Sequence, residues 1–240
     1  MDIWDQRGSR GQSSIEYIED AAAIEVSANS LNEDNSNSGQ LWVSGVSDGI
    51  YATVSLSGRT QLPVESSAQA RIGIRGVFHN ESADGGMDGQ DGDIFVELLL
   101  RLRGDGRRQI SFYMARNNAD GNSDGYRILE DGDDSANFDL TPELDKPYEL
   151  GISIDRERAV LIFTVDELIR EVKLPTAAFI PARSEASVLV DHRGSSGLAA
   201  GRIHAVRTAT VDENFALGVP AMGPAMPNTA CFVRMLKAIL

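Results

Sequence analysis

The chain carries one cysteine, Cys231, so it can form no internal disulfide. A catalytic thiol would need a histidine partner that no motif supplies, and Cys231 reads as a small buried or linker residue. No apolar stretch approaches the about 18 residues that span a bilayer. The start, Met-Asp-Ile-Trp-Asp, lacks a basic region followed by an apolar one and does not read as a signal peptide. The expectation is either an intracellular protein, or one from which a signal or upstream domain has been cut away and to which a start Met has been added. Aromatic residues make up only 6% of the chain, and the three histidines, His79, His192 and His204, are too scattered for metal-ligand spacing. Basic residues are outnumbered, 22 against 36 acidic, for a net charge of -14. Such a surface repels nucleic acid and anionic membrane, and favours solubility and cation binding. Long helical periodicities are nearly missing, and no internal repeat is visible.

What is present is a chain of 240 residues with 42% hydrophobic and 24% charged residues, an ordinary globular composition. That length buries about 70–75% of the surface its unfolded form exposes, so folding needs neither disulfides nor metal. Residues 1–39 read as a segment that is partly loose and can add an edge strand. Within it, 15–28 (IEYIEDAAAIEVSA) fits either strands or a helical turn, and 29–39 reads as a loop.

From residue 40 the texture changes. QLWVSGV, IYATVSLSG, ARIGIRGVFH, IFVELLLRLRG and RQISFYMAR are short alternating segments bounded by Gly, Ser and Asp. YELGISIDR, AVLIFTV, LIREVKL, ASVLVDHRG and GRIHAVRTATV follow. About ten strands at close spacing with few helices predict an all-β, two-sheet antiparallel sandwich over 40–211. AVLIFTV and LIREVKL form a hairpin about Asp166-Glu167, although LIREV alone fits a helix. Residues 212–240 hold a Pro/Met-rich linker and a short apolar C-terminal segment.

The stretches ARIGIRGVFHN, GDIFVELLLRLRG, RQISFYMARNN, YELGISIDRERAVLIFTVDE and SVLVDHRGSSGLAAGRIHAVRT resemble the central and closing strands of concanavalin A-like lectin/glucanase domains, the laminin G-like jelly rolls. The resemblance rests on strand order and texture over residues 40–211. It implies a jelly roll and a carbohydrate-binding or adhesion module, extracellular, at the cell surface or periplasmic, whose partner is a carbohydrate or a cell-surface protein. The enzymes of that fold, hydrolases and lyases, are the alternative, as is a purely structural domain of a larger surface protein. Glucanases of the fold carry E-x-D-x-x-E on one strand as paired carboxylates. The nearest match here is Glu143-Leu144-Asp145, with Tyr148 where the second Glu should stand and Pro142 and Pro147 beside it. No catalytic residue is assigned.

Two acidic connections stand out. Residues 80–93 hold Glu81, Asp84, Asp88, Asp91 and Asp93 and carry -5. Residues 117–134 hold six acids against Arg127 and also carry -5, so the pair accounts for -10 of the total -14. Strand parity places both at one end of the sandwich, with the Gly104-Asp105-Gly106 turn at the other. Hard oxygen ligands with glycine for tight turns suit Ca²⁺, the implied cofactor. Asp120-Gly121-Asn122-Ser123-Asp124-Gly125 matches the opening of a calcium loop. Asp120, Asn122, Asp124, the Tyr126 carbonyl and Asp131 are its candidate ligands, joined by Asp91 and Asp93. Asp131 stands where an EF-hand needs a bidentate Glu, so the loop is not an EF-hand. The competing reading is a solvated Asp/Gly loop.

Tyr126 is the candidate platform for stacking on a sugar, and Asp88, from the other acidic connection, is a second candidate ligand contact. Trp42 and Tyr113 lie within strand patterns and read as core. Arg101 and Arg103 alternate with Leu100 and Leu102 and share one outer strand face. With Arg107, Arg108 and Arg116 they form a basic strip that is either solvated or reads an anionic polysaccharide or a partner's carboxylates. Contact with ligand is expected at the acidic rim or on the concave sheet. Gly45-Val46-Ser47-Asp48-Gly49 fits G-x-S-x-G but is followed by strand, so it reads as a turn rather than a nucleophile elbow. His204 reads as outward-facing, and His192 as a strand-end residue beside Asp191.

Overall fold

In the computed structural model the described residues are 3–7, 11–18, 21–29, 36–43, 46, 48–65, 67–79, 93–117, 123–124, 136–174 and 183–209. Among them there is no helix, and so none long and apolar enough to cross a membrane. The strands are β1 (Ile3–Arg7), β2 (Gly11–Ile18), β3 (Ala21–Asn29), β4 (Ser36–Val43), β5 (Gly49–Leu56), β6 (Gln69–His79), β7 (Ile94–Arg103) and β8 (Arg108–Asn117). The short β9 (Ser123–Asp124) and β10 (Ala136–Asn137) follow. Then come β11 (Tyr148–Asp155), β12 (Val160–Val165), β13 (Leu168–Lys173), β14 (Arg183–Arg193) and β15 (Ser196–Ala209). They form two antiparallel sheets. The eight-stranded one runs β1-β4-β14-β6-β7-β8-β10, with β9 on β8, and the seven-stranded one runs β13-β12-β11-β5-β15-β3-β2. This is the two-sheet sandwich that the alternating segments require.

The ambiguous 15–28 stretch resolves into parts of β2 and β3, which pair from Gly11↔Ala28 to Ile18↔Ala21. The stretch read as a loop, 29–39, gives up its last residues to β4, because β14 pairs with them as far as Arg193↔Ser36. β12 and β13 are the expected hairpin, closed at Val165↔Leu168. Asp166 adopts φ 50, a left-handed conformation that Asp tolerates better than most residues. It also accepts a hydrogen bond from the Glu149 amide to Oδ1 at 2.9 Å. That bond ties the tip of the hairpin to β11.

Alternation fills the space between the sheets. β6 and β7 send Ile72, Ile74, Val96, Leu98 and Leu100 inward, and β5, β11 and β12 oppose them with Val54, Leu150, Ile152 and Phe163, all buried. Phe112 stacks on Phe163 at 4.7 Å and meets Phe138 edge-on at 5.7 Å. Each such side chain is worth about 1.5–3 kcal/mol of transfer free energy. β15 carries a bulge between Ile203 and Ala205 where it runs along β5. The extra residue, His204, receives or donates a bond at 3.0 Å with Ser55 Oγ. Beyond the bulge Val206 pairs with Ala52, and Arg207 with Tyr51, whose ring the guanidinium covers at 4.0 Å.

Candidate functional site

The inward residues of β6, β7, β8 and β14 fix which residues must face out from the eight-stranded sheet. β6 turns out Arg71, Gly73 and Arg75. β7 turns out Phe95, Glu97, Leu99, Arg101 and Arg103, and β14 turns out Ser187, Leu189 and Asp191. Register then assembles rows across strands remote in sequence. One row is Trp42–Ser187–Arg75–Glu97–Tyr113. The next is Gln40–Leu189–Gly73–Leu99–Ser111, and the one after it is Ser38–Asp191–Arg71–Arg101–Gln109.

Two ion pairs bind these rows. Arg75 donates to Glu97 Oε1 from Nε at 2.8 Å and from Nη2 at 2.6 Å. Arg71 Nη2 donates to Asp191 Oδ2, with the two side chains only 5% and 1% exposed. Direct cross-strand opposition is the geometry in which unlike charges stabilise a sheet. Alongside, Ser187 Oγ donates to Gln40 Oε1 at 3.2 Å, and Gln40 Nε2 to Ser38 Oγ at 2.9 Å. The face is thus a held polar network with an aromatic flank. Phe95 meets Tyr113 edge-on at 6.3 Å, and the Arg75 guanidinium lies 5.6 Å from the Phe95 centroid.

Arg101 and Arg103 are half-buried, and nothing among the described residues pairs with either guanidinium. Their Nε atoms, like that of Arg71, are buried without a hydrogen-bond partner. Burial first, and then the neighbouring Arg71 charge, pull the Arg101 pKa down to about 10. The described arginines of this face, Arg71, Arg75, Arg101, Arg103 and Arg193, outnumber its carboxylates, Glu97, Glu185 and Asp191. Among the described residues, a chain that is strongly acidic as a whole therefore turns more positive than negative charges out on this face.

The residues singled out from sequence are placed unevenly. Asp88, Asp91, Asp120, Asn122, Tyr126 and Asp131 lie outside the described residues. Asp124 is in β9, its backbone paired with Arg116. Asp93 is fully buried just before β7 and has an interaction partner. The strand ends that lead into the two acidic connections are neighbours, since Ile94 pairs with Phe78 on one side and Arg116 on the other. Among the described residues no group of three or more His, Cys, Asp or Glu could hold a metal ion.

Two expectations change. Trp42 and Tyr113 are not core residues: their neighbours Leu41, Phe112 and Met114 fill the core, so parity turns both rings outward, half-buried. The basic strip is broken, because Arg107 turns away at the strand end to pair with Asp105 Oδ2 at 2.6 Å. His192, next to Asp191 near the end of β14, is fully buried on the core side, since adjacent strand residues point to opposite sides. Glu143 and Asp145, the nearest match to a glucanase motif, sit in a turn. Glu143 bonds Lys146 at 3.0 Å, and the Asp145 carboxylate accepts the Gly58 amide at 3.1 and 3.2 Å.

Arg71, Arg75, Glu97, Ser187, Gln40 and Asp191 were missed in the sequence. Their one signal is polar residues alternating with apolar ones inside strongly buried strands, as in Arg71-Ile72-Gly73-Ile74-Arg75.

No family model matches the chain, and no curated protein matches it in sequence. Among solved structures it is similar to a glycoside hydrolase family 16 endo-glucanase from Bacteroides ovatus, at 9% identity over 85% of this chain and 94% of that one, with a TM-score of 0.55. A Bacteroides ovatus mixed-linkage glucan GH16 in complex with its G4G4G3G product is similar at 9% identity, 85% and 94% coverage, and a TM-score of 0.52. The Emp47p carbohydrate recognition domain follows at 14% identity, 85% and 86% coverage, and 0.47. The chain therefore has the concanavalin A-like jelly-roll fold, a likeness of architecture.

Proposed function

We propose that this jelly roll is a non-catalytic carbohydrate-binding or adhesion module of the extracellular space or cell surface, and that its ligand lies across the outer face of the eight-stranded sheet. The observation that carries the proposal is the row Trp42–Ser187–Arg75–Glu97–Tyr113 with Phe95 beside it. Sugars are recognised by apolar ring faces set next to fixed hydrogen-bonding groups; here the half-buried Trp42, Phe95 and Tyr113 supply the rings and the half-buried Arg75 the polar group, held from behind by the buried Glu97. The row's polar members are immobilised by cross-strand bonds before any ligand arrives, which reduces the ordering cost of binding. Arg101 and Arg103 extend the surface toward the opposite strand end. Tyr126 and Asp88 are proposed as contacts from the acidic connections. Asp120, Asn122, Asp124, Asp131, Asp91 and Asp93 are proposed to supply oxygens for a Ca²⁺ that braces those connections.

Binding is preferred to catalysis because the carboxylates on the face are already engaged. Glu97 is held by two donors of Arg75 and Asp191 by Arg71, so neither is free to work as half of an acid–base pair. The glucanase neighbours from Bacteroides ovatus keep the competing reading specific: a hydrolase acting on the same face, with a lyase as the other enzyme class of the fold. A glycan array followed by a reducing-sugar release assay separates the two. Retention without release is the expected result. Release of product would replace the module with an enzyme, and retention of no glycan would remove the carbohydrate reading.

A further inference from the structure

We infer that the glycan is anionic, a polysaccharide bearing carboxylate or sulfate groups that are seated on Arg101 and Arg103 beside the Arg71–Asp191 pair. This rests on the proposed glycan-binding function and names its substrate class. The outer face brings Arg71 and Arg101 into direct cross-strand opposition, the arrangement in which like charges destabilise a sheet. Asp191 pairs with Arg71, whereas Glu97 acts on Arg101 only through space and no described carboxylate forms an ion pair with Arg101 or Arg103. Arg71 is 4% exposed, yet its Nε, with those of Arg101 and Arg103, has no hydrogen-bond partner. A buried donor left unmade costs about 1–3 kcal/mol, so three together leave positive charge poorly compensated behind the face, and the half-buried Arg101 and Arg103 are where a ligand's anion can reach it. Ser111, fully buried in the adjoining row, leaves its Oγ unpartnered there as well.

Guanidinium forks match planar carboxylates and sulfates better than hydroxyls do. Arg101 and Arg103 stand two residues apart on one strand, about 6.6–6.8 Å along it, so they can take separate charges of a chain rather than one bidentate group. The aromatic flank of Phe95 and Tyr113 on the same face favours a sugar chain over an acidic peptide. The overall charge of -14 opposes densely charged polyanions and confines attraction to this patch.

The test is calorimetry on the full chain with four probes: oligogalacturonate, a sulfated galactan oligosaccharide, neutral cello- and laminari-oligosaccharides, and poly-aspartate. Either anionic glycan should bind, weaken steeply with salt, and lose at least about tenfold in affinity in Arg101→Gln and in Arg103→Gln. The arm that binds tells carboxylate from sulfate. Arg158→Gln, on the far sheet, should change nothing. Neutral oligosaccharides bound equally by parent and variants would overturn the anionic inference and leave the glycan-binding function standing. Binding of poly-aspartate alone would overturn it in favour of an acidic protein partner, and binding of no probe would overturn both. If a variant fails to fold, salt-independent glycan binding by the parent chain is itself sufficient to refute the inference.

Discussion

The buried pair Arg71–Asp191 offers the sharpest quantitative test of how the outer face is held. Both side chains are almost wholly withdrawn from water. Asp191→Asn keeps the shape of the side chain and removes its charge, which strands the Arg71 guanidinium among Arg101 and its own unmade Nε. Breaking one partner of a buried pair costs about 3–5 kcal/mol, because the remaining charge stays desolvated. For a chain of this size each kcal/mol moves the melting temperature by about 2–4 °C, so the variant should melt about 6–20 °C lower. Asp191 has a further interaction besides Arg71, so the single variant overstates the pair. The cycle with Arg71→Met isolates it. Arg71→Met with Asp191→Leu, which exchanges two desolvated charges for apolar groups, should recover most of the loss and can exceed the parent by about 1–4 kcal/mol. Thermal and urea melts of five proteins, the parent, Asp191→Asn, Asp191→Leu, Arg71→Met and the double variant, measure all of this, the last three closing the cycle with the parent. An Asp191→Asn protein that melts within a degree or two of the parent would refute the reasoning, as would a double variant no more stable than Asp191→Asn.

His192 is fully buried, and burial holds its imidazole below the ordinary histidine range despite the nearby Asp191 charge. The unfolded chain then takes up a proton that the folded one refuses. Stability should therefore fall as pH drops below about 6.5, and His192→Gln should flatten that part of a melting-temperature profile; an unchanged slope would show that other groups set it. Gly73 lies mid-row on the outer face, where an added Cβ would collide with the carbonyl oxygen of Leu98. Its backbone is extended, so the cost of Gly73→Ala is steric, about 1–3 kcal/mol or more, read by denaturant melting, and a neutral result would mean that β6 and β7 can separate freely. If Ca²⁺ braces the acidic connections, millimolar Ca²⁺ should raise the melting temperature and a chelator reverse it, whereas coincident melts would remove the metal from the proposal.

The fold was legible because a two-residue period survives in short segments bounded by Gly and Asp. LIREV, which fits a helix when read alone, became β13 because the preceding strand offers it a hairpin partner at every residue from Val160 to Val165. The N-terminal strands were less legible, since Ala-rich sequence in 21–29 satisfies either period. The outer face was nearly invisible for a different reason. Period two says which residues share a face but not which face is the core, so Trp42 and Tyr113 were assigned inward. In β7 the alternation is masked outright, because Leu99 is as buried on the outer side as Leu98 and Leu100 are on the inner. The partners Arg71 and Asp191 are separated by 120 positions in the chain, a relation that register alone creates. Charge runs, by contrast, are conspicuous in one dimension, which is why the acidic connections drew the eye before the arginines did.

The bulge in β15 makes His204 a phase-shifter for the last strand of the sandwich. Upstream of it Ile203 opposes Val54, and downstream Val206 opposes Ala52, so both halves present their apolar residues to the same side only because one residue goes uncounted between them. Exchanging the His204 side chain should be mild, costing the bond to Ser55 and little else. Excising the residue should keep the facing of the strand: Ile203, Ala205 and Val206 would then run without a break against Val54, Thr53 and Ala52, the partners they already have, and Arg207 would stay outside. What would be lost is the extra local twist of the bulge, and what would send Val206 out to water is a regular pairing that counted His204.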